Sequence, residues 1–197
     1  MIRQAEHAEK EPKDAGGPRL DSELLESRTI IVGEEVSDEL YRKVAMQLAI
    51  LERKDATRPI TVFVNSPGGA ADVGFALYDL FRFSAAPVRT VANGLVASAA
   101  VLIFLGGAEG QRFSLPNSRF LLHQPSTVTR GQSTDIDIAA RQIVALKRRY
   151  NQIVAAATGR DLAKIENDSD RDFWLTAPEA KEYGLVTRLI ERRVDLG

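Results

Sequence analysis

The chain has 197 residues, with 26 Lys and Arg against 27 Asp and Glu, two histidines and no cysteine. Its length suits one domain with a short appendage, and a formal charge of −1 without any Lys/Arg block argues against a nucleic-acid partner. The missing cysteines exclude disulfides, thiol nucleophiles and Cys-based metal sites, and His7 and His123 are too few for a His-rich one.

Residues 1–19 mix charges with Pro12, Pro18 and Gly16-Gly17 and have almost no bulky apolar residue, so a flexible tail or removable propeptide is expected there. This segment lacks the apolar run of a secretory signal, which favours a cytoplasmic protein. A single domain is expected over 20–197. Thr29–Val32 reads as a strand stopped at Gly33, and Ser37 can cap a helix over about 38–53 with Leu40, Val44, Leu48 and Leu51 on one face. Ile60–Val64 is a second strand, followed by Asn65-Ser66-Pro67-Gly68-Gly69 and a helix over about 71–83. Val88–Ala92 is a third strand, and after Asn93-Gly94 a helix of small residues begins near Ser98. The apolar stretch from Gly94 to Ala108 is too short to span a bilayer and reads as a buried helix.

Two short strands are expected around Gln111–Phe113 and Phe120–His123, then a loop over Pro125–Gly131. The longest helix covers 134–157, with Lys147-Arg148-Arg149 outward and a glycine cap at Gly159. Asp168–Trp174 reads as an acidic turn. Thr176-Ala177-Pro178-Glu179 has capping-box spacing and opens a short helix ending at Gly184, and Leu185–Ile190 is the last strand. Alternation of strands and helices over short connections makes the class α/β.

Four segments carry possible chemistry. The Gly68-Gly69 pair lies between a strand and a helix, where free N–H groups can face an anion or simply make a turn. Ser98 stands at a strand-to-helix junction among Gly and Ala, as either an exposed nucleophile or a helix cap. His123 ends an apolar strand before Pro125. The turn at 168–172 supplies Asp168, Asp170 and Asp172. Nucleophile, base, acid and oxyanion loop all fall at element ends, where sites are built.

The segments NSPGG (65–69), GLVAS (94–98), GQRFSLPNSRFLLHQP (110–125), GQSTDIDI (131–138) and DRDFWLTAPEAKEYGLV (170–186) resemble, in order and spacing, the proteolytic subunits of the Clp protease family. The resemblance covers about residues 24–190. It implies the ClpP/crotonase-type fold, a spiral of β-strand and α-helix units with a protruding helical handle at about 124–172. It implies a serine endopeptidase that cleaves polypeptides inside a barrel of two stacked heptamer rings, homomeric or mixed with a paralogue. A AAA+ Clp ATPase would feed the barrel and spend the ATP, so no cofactor or metal is expected in this chain. Carried over by residue, Ser98 is the nucleophile, His123 the base, Asp172 the orienting acid, and Gly69 and Ala99 the oxyanion donors. Asp170 and Arg171 would lie at the ring junction.

The chain departs from the family pattern in three places. Asp21-Ser22 precede the leucines where a Tyr-Ser pair is usual, Thr127-Val128 stand where two glycines are common, and Ala99-Ala100 replace Met-Gly. Two other readings use the same residues: a catalytically weak structural subunit of a mixed ring, and an acyl-CoA enzyme on the shared fold. The intact Ser98, His123 and Asp172 argue against the first. The reliance of such acyl-CoA sites on acidic residues argues against the second.

Overall fold

The computed structural model describes residues 23–125 and 130–196. The expected tail at 1–19 with His7, the Asp21-Ser22 pair and Thr127-Val128 lie outside the described residues. In chain order the elements are β1 (Thr29–Val32), α1 (Asp38–Lys54), β2 (Ile60–Ser66), α2 (Ala71–Phe83), β3 (Val88–Ala97), α3 (Ala99–Leu105), β4 (Arg112–Ser114) and β5 (Arg119–Leu122). They continue with α4 (Ser133–Thr158), α5 (Leu162–Asp168), β6 (Phe173–Thr176), α6 (Ala177–Tyr183), β7 (Arg188–Leu189) and a closing 3-10 turn (Arg193–Leu196). No described helix is long and apolar enough to cross a membrane.

Parallel strands run in the order β1-β2-β3-β4-β7, with the helices as crossovers. β5 pairs in parallel with the end of β3, and β6 adds to β5 antiparallel. Local signals set the helices. Ser37 Oγ accepts the Leu40 N–H at 3.2 Å, and α1 buries Leu40, Val44, Leu48 and Leu51 at helical spacing. Each such side chain contributes about 1.5–3 kcal/mol of burial. Thr176 and Glu179 close the expected capping box, and Gly159 and Gly184 end their helices with left-handed backbone. α3 is buried on every side, from Ala99 to Leu105. α2 approaches it so closely that a Cβ on Gly74 would come within 2.9 Å of the Ala99 carbonyl.

Four sequence expectations need correction. β3 does not stop at Ala92 but continues to Ala97, bending at Asn93-Gly94 while its pairing with β2 shifts between Val64 and Ser66. Side chains patch the bend: Leu95 N–H donates to Asn65 Oδ1 at 3.0 Å, and Gly94 N–H donates to Ser118 Oγ at 3.2 Å. The bend lets β3 pair with β4 through Thr90–Ala92 and with β5 through Leu95–Ala97. Second, the stretch expected to be only an acidic turn ends in a strand, Phe173–Thr176 forming β6. Just before it, residues given no element hold α5, whose cap Asp161 accepts the Ala163 N–H.

Third, β7 shrinks to Arg188–Leu189, because Leu185 and Val186 N–H groups are spent on the Ala180 carbonyl at the end of α6. Fourth, Lys147 is only half-exposed rather than fully outward, with its ammonium 3.6 Å from the exposed Asp170. The first half of α4 is exposed around its circumference, and burial begins only near Tyr150, Asn151 and Val154. That projecting half lies within the segment expected as a handle, about 124–172.

The bend in β3 predicts a stability effect. Gly94 sits at φ +106, and a Cβ there would lie 2.7 Å from Asn65 Oδ1. Gly94→Ala is expected to cost about 1–3 kcal/mol, read as a lower urea midpoint at unchanged slope. An unchanged midpoint would mean that the bend is not under this constraint.

Candidate active site

Ser98 is the single residue between β3 and α3 and has φ +56, ψ −124. Positive φ costs a residue with a Cβ about 1–3 kcal/mol unless its surroundings impose it. Here they do: the Ser98 N–H donates to the Leu121 carbonyl at 2.9 Å, and its own carbonyl accepts from Val101 at 3.0 Å. The strand fixes one side of the residue and the buried helix fixes the other. Ser98 makes no side-chain cap bond to α3. The helix-cap alternative therefore fails, and the hydroxyl is left for other work.

The glycine turn lies against this elbow. Val36 N–H donates to the Gly68 carbonyl and Ala70 N–H to the Val36 carbonyl, each at 2.8 Å. Gly68 N–H donates to Ser66 Oγ at 3.2 Å. Gly69 N–H, between these anchored neighbours, has no acceptor among the described residues. Gly68 has φ +93, and a Cβ on it would lie 2.7 Å from Ser98 Cβ and 3.1 Å from the Ala99 nitrogen. Ala99, first residue of α3, also has a backbone N–H outside the helix's own bonding. Gly69 thus follows the glycine that packs on Ser98, and Ala99 follows the serine itself. Both have backbone N–H groups without an acceptor among the described residues, donors of the kind that can hold an oxyanion.

The β3–β5 register brings the histidine in. Ala97 pairs with Leu121, which places Ser98 and His123 just beyond paired strand ends. The two share one narrow, mainly apolar cleft of about 20 Å³, walled by Phe75, Leu102 and Leu146. No hydrogen bond links Ser98 Oγ to His123 among the described residues. His123 Nδ1 faces Asp172 Oδ1 at 3.8 Å, beyond hydrogen-bond reach, with the side chains 31% and 65% exposed. Nδ1 toward the acid leaves Nε2 for the serine.

The other two aspartates are engaged elsewhere. Asp168 accepts from Lys164 at 2.9 Å and from the Tyr183 hydroxyl at 2.7 Å. Burial would raise its pKa, but these bonds win and hold it below the ordinary value. Asp170 accepts from Gln124 Nε2 at 2.7 Å through both its carbonyl and its carboxylate, with Lys147 alongside. Gln124 thereby ties the residue after His123 to the turn that carries Asp172. Its signal in the sequence was only its place in HQP, and Lys147 gave none. Arg171 is exposed, without a partner among the described residues. No group of carboxylates and histidines among the described residues could hold a metal ion.

The family model described as Clp protease matches residues 16–193. The ATP-dependent Clp protease proteolytic subunit 2 of Treponema denticola is 42% identical over 95% of this chain and 94% of its own length. Subunit 1 of Bacillus cereus is 44% identical over 87% of this chain and 89% of its own. The solved structure of a ClpP1 mutant from Listeria monocytogenes superposes with a TM-score of 0.84 at 39% identity, covering 90% of this chain and 99% of that one.

The contact of the glycine turn with the elbow can be tested chemically. Gly68→Ala must push Ser98 or Ala99 aside, and displacements near 1 Å at a reacting centre cost about a hundredfold. Fluorophosphonate labelling of Ser98 should slow by about that factor. Labelling at the original rate would show that the turn does not govern the elbow.

Proposed function

The chain belongs to the Clp protease family, and from that premise we propose a serine endopeptidase with Ser98 as nucleophile, His123 as general base and Asp172 as the acid that orients it. The observation carrying this reading is the Ser98 elbow: positive φ, no capping bond, and the glycine turn packed against it. Family membership makes the chain a proteolytic subunit working with Clp ATPases.

In the proposed cycle His123 Nε2 takes the Ser98 proton as Oγ attacks the scissile carbonyl carbon. Gly69 and Ala99 N–H groups donate to the oxyanion of the tetrahedral intermediate. Collapse breaks the C–N bond, and His123 gives the proton to the departing amine. Water then attacks the acyl-serine ester with His123 again as base, freeing the new carboxylate and Ser98. Asp172 accepts from Nδ1–H, fixing the tautomer and stabilising the imidazolium. ATP enters only through the partner unfoldase, since the Gly68-Gly69 turn is not a nucleotide-binding loop, and the subunit works in the cytoplasm without a cofactor of its own.

We further propose a double heptamer of this chain, alone or mixed with a numbered paralogue. The apolar Ile136, Ile138 and Val144 on the projecting half of α4 support this, since they need a covering surface. Fourteen copies of 21.6 kDa give about 300 kDa. At the ring junction Arg171 would pair with a carboxylate of the facing ring. Asp170 is already bonded to Gln124, so that pair would stiffen the turn and draw Asp172 onto His123.

Ser98→Ala should abolish peptide cleavage and leave the assembly at its full size, because a small side chain replaces a small one. Retained cleavage would overturn the nucleophile. Arg171→Ala should reduce both the sedimentation size and the peptidase rate, although Arg171 moves no proton. Unchanged size and rate would make it a solvated surface residue worth under about 1 kcal/mol.

A further inference from the structure

A second cleft opens at the other end of α3, where Leu105 lines it, and it shares no residue with the cleft beside Ser98. Its volume is about 330 Å³, inside the roughly 300–1,000 Å³ of small-molecule sites. Two guanidiniums line it. Tyr78 and Arg82 stand one turn apart on α2, with Arg82 Cζ 5.6 Å from the centre of the Tyr78 ring. Arg112 comes from β4, and its Nη2 donates to the Ala157 carbonyl at 2.9 Å and the Gly184 carbonyl at 3.3 Å. Those bonds fix the guanidinium and leave its Nε and Nη1 N–H groups without an acceptor among the described residues. Neither arginine forms an ion pair among the described residues. Burial pushes the pKa of half-buried Arg112 down, and nearby Arg82 adds to this, against the opposing pull of Tyr78 and Glu109.

We propose that this cleft binds a small organic phosphate monoester, its phosphate group held between Arg82 and Arg112. A phosphate monoester carries close to two negative charges at neutral pH, and two planar guanidinium forks match its oxygens. The Tyr78 hydroxyl, which makes no hydrogen bond among the described residues, adds a neutral donor. Glu109 is the one carboxylate lining the cleft, and it is exposed, so the balance of the lining stays positive. A guanidinium partly withdrawn from water, with no counter-ion of its own, gains more from an anion than a fully hydrated one. The organic part has a separate wall. Leu105, Ala156 and Ala157 are apolar, and the two alanines are too short to fill the space beside them. Inorganic phosphate would leave that wall bare, and a monocarboxylate would answer only one of the two cations.

The test titrates the assembled full chain in a calorimeter with phenyl phosphate, inorganic phosphate and benzoate. Phenyl phosphate should bind about tenfold more tightly than either of the others, since inorganic phosphate lacks the organic group and benzoate the second charge. Arg82→Gln should weaken phenyl phosphate about tenfold at an unchanged melting temperature, because Arg82 is exposed and holds no ion pair among the described residues. Glu109→Gln should tighten it about threefold by removing a like charge. The opposite signs separate a binding role from a fold defect, which would weaken binding in both variants. No saturable binding to the parent would overturn the proposal, as would an Arg82→Gln affinity within about twofold of the parent. So would benzoate or inorganic phosphate binding as tightly as phenyl phosphate. Should Arg82→Gln fail to assemble, the other two variants decide: Glu109→Gln must tighten phenyl phosphate and Tyr78→Phe must weaken it, or the proposal falls. None of these readouts passes through Ser98, so the inference stands or falls apart from the peptidase reading.

Discussion

The positive φ of Ser98 is the constraint on which the site depends. A serine adopts that backbone only when both sides are held, and here both are. β5 takes its N–H through the Leu121 carbonyl, and α3 begins one residue later inside the core. α3 can be fully buried because its residues are apolar and Gly74 lets α2 close on it. The same compactness forces Gly68 to lack a side chain, since the Ser98 Cβ and the Ala99 nitrogen occupy that space. The cost of the strained serine, about 1–3 kcal/mol, is offset by core burial many times larger.

The acid side of the site has a different character. Asp172 is mostly exposed and 3.8 Å from the imidazole, on a turn held by Gln124 and Lys147 through Asp170. Beneath that turn Ser169 donates to buried Asn151 at 3.1 Å. Ser98 and Ala99 are fixed by the core of one subunit, whereas Asp172 hangs on a surface turn beside Arg171, which has no partner among the described residues. This division gives assembly a route to activity. On the proposed reading, a contact that stiffened the turn would close the His123–Asp172 gap without disturbing the elbow, and an isolated subunit would carry a formed but poorly oriented site.

Much of this was legible in the sequence where a residue type admits few conformations. Ser37, Thr176 with Glu179, Gly159 and Gly184 announced helix ends and occupy them. The period of Leu40, Val44, Leu48 and Leu51 announced a buried face. Ser98, Ala99 and His123, named from segments far apart in the chain, line one cleft, the glycine before Gly69 packs on Ser98, and of the three aspartates Asp172 faces the histidine. The misses have physical causes. Asn93-Gly94 is a stop signal in isolation, but Asn65 and Ser118 supply the hydrogen bonds that let β3 continue through it. Phe173–Thr176 has strand composition, yet its pairing with β5 is non-local and the adjacent acidic run masked it.

The most direct test of the central claim is a crystal structure of the assembled enzyme with a fluorophosphonate bound covalently to Ser98. The phosphoryl oxygen stands where the oxyanion would. It should lie about 2.7–3.1 Å from both the Gly69 and the Ala99 nitrogens, with Ser98 still at positive φ and His123 Nδ1 within about 3.2 Å of Asp172. An adduct whose oxygen turns to solvent, or an assembled enzyme in which the His123–Asp172 gap stays at 3.8 Å, would contradict the account.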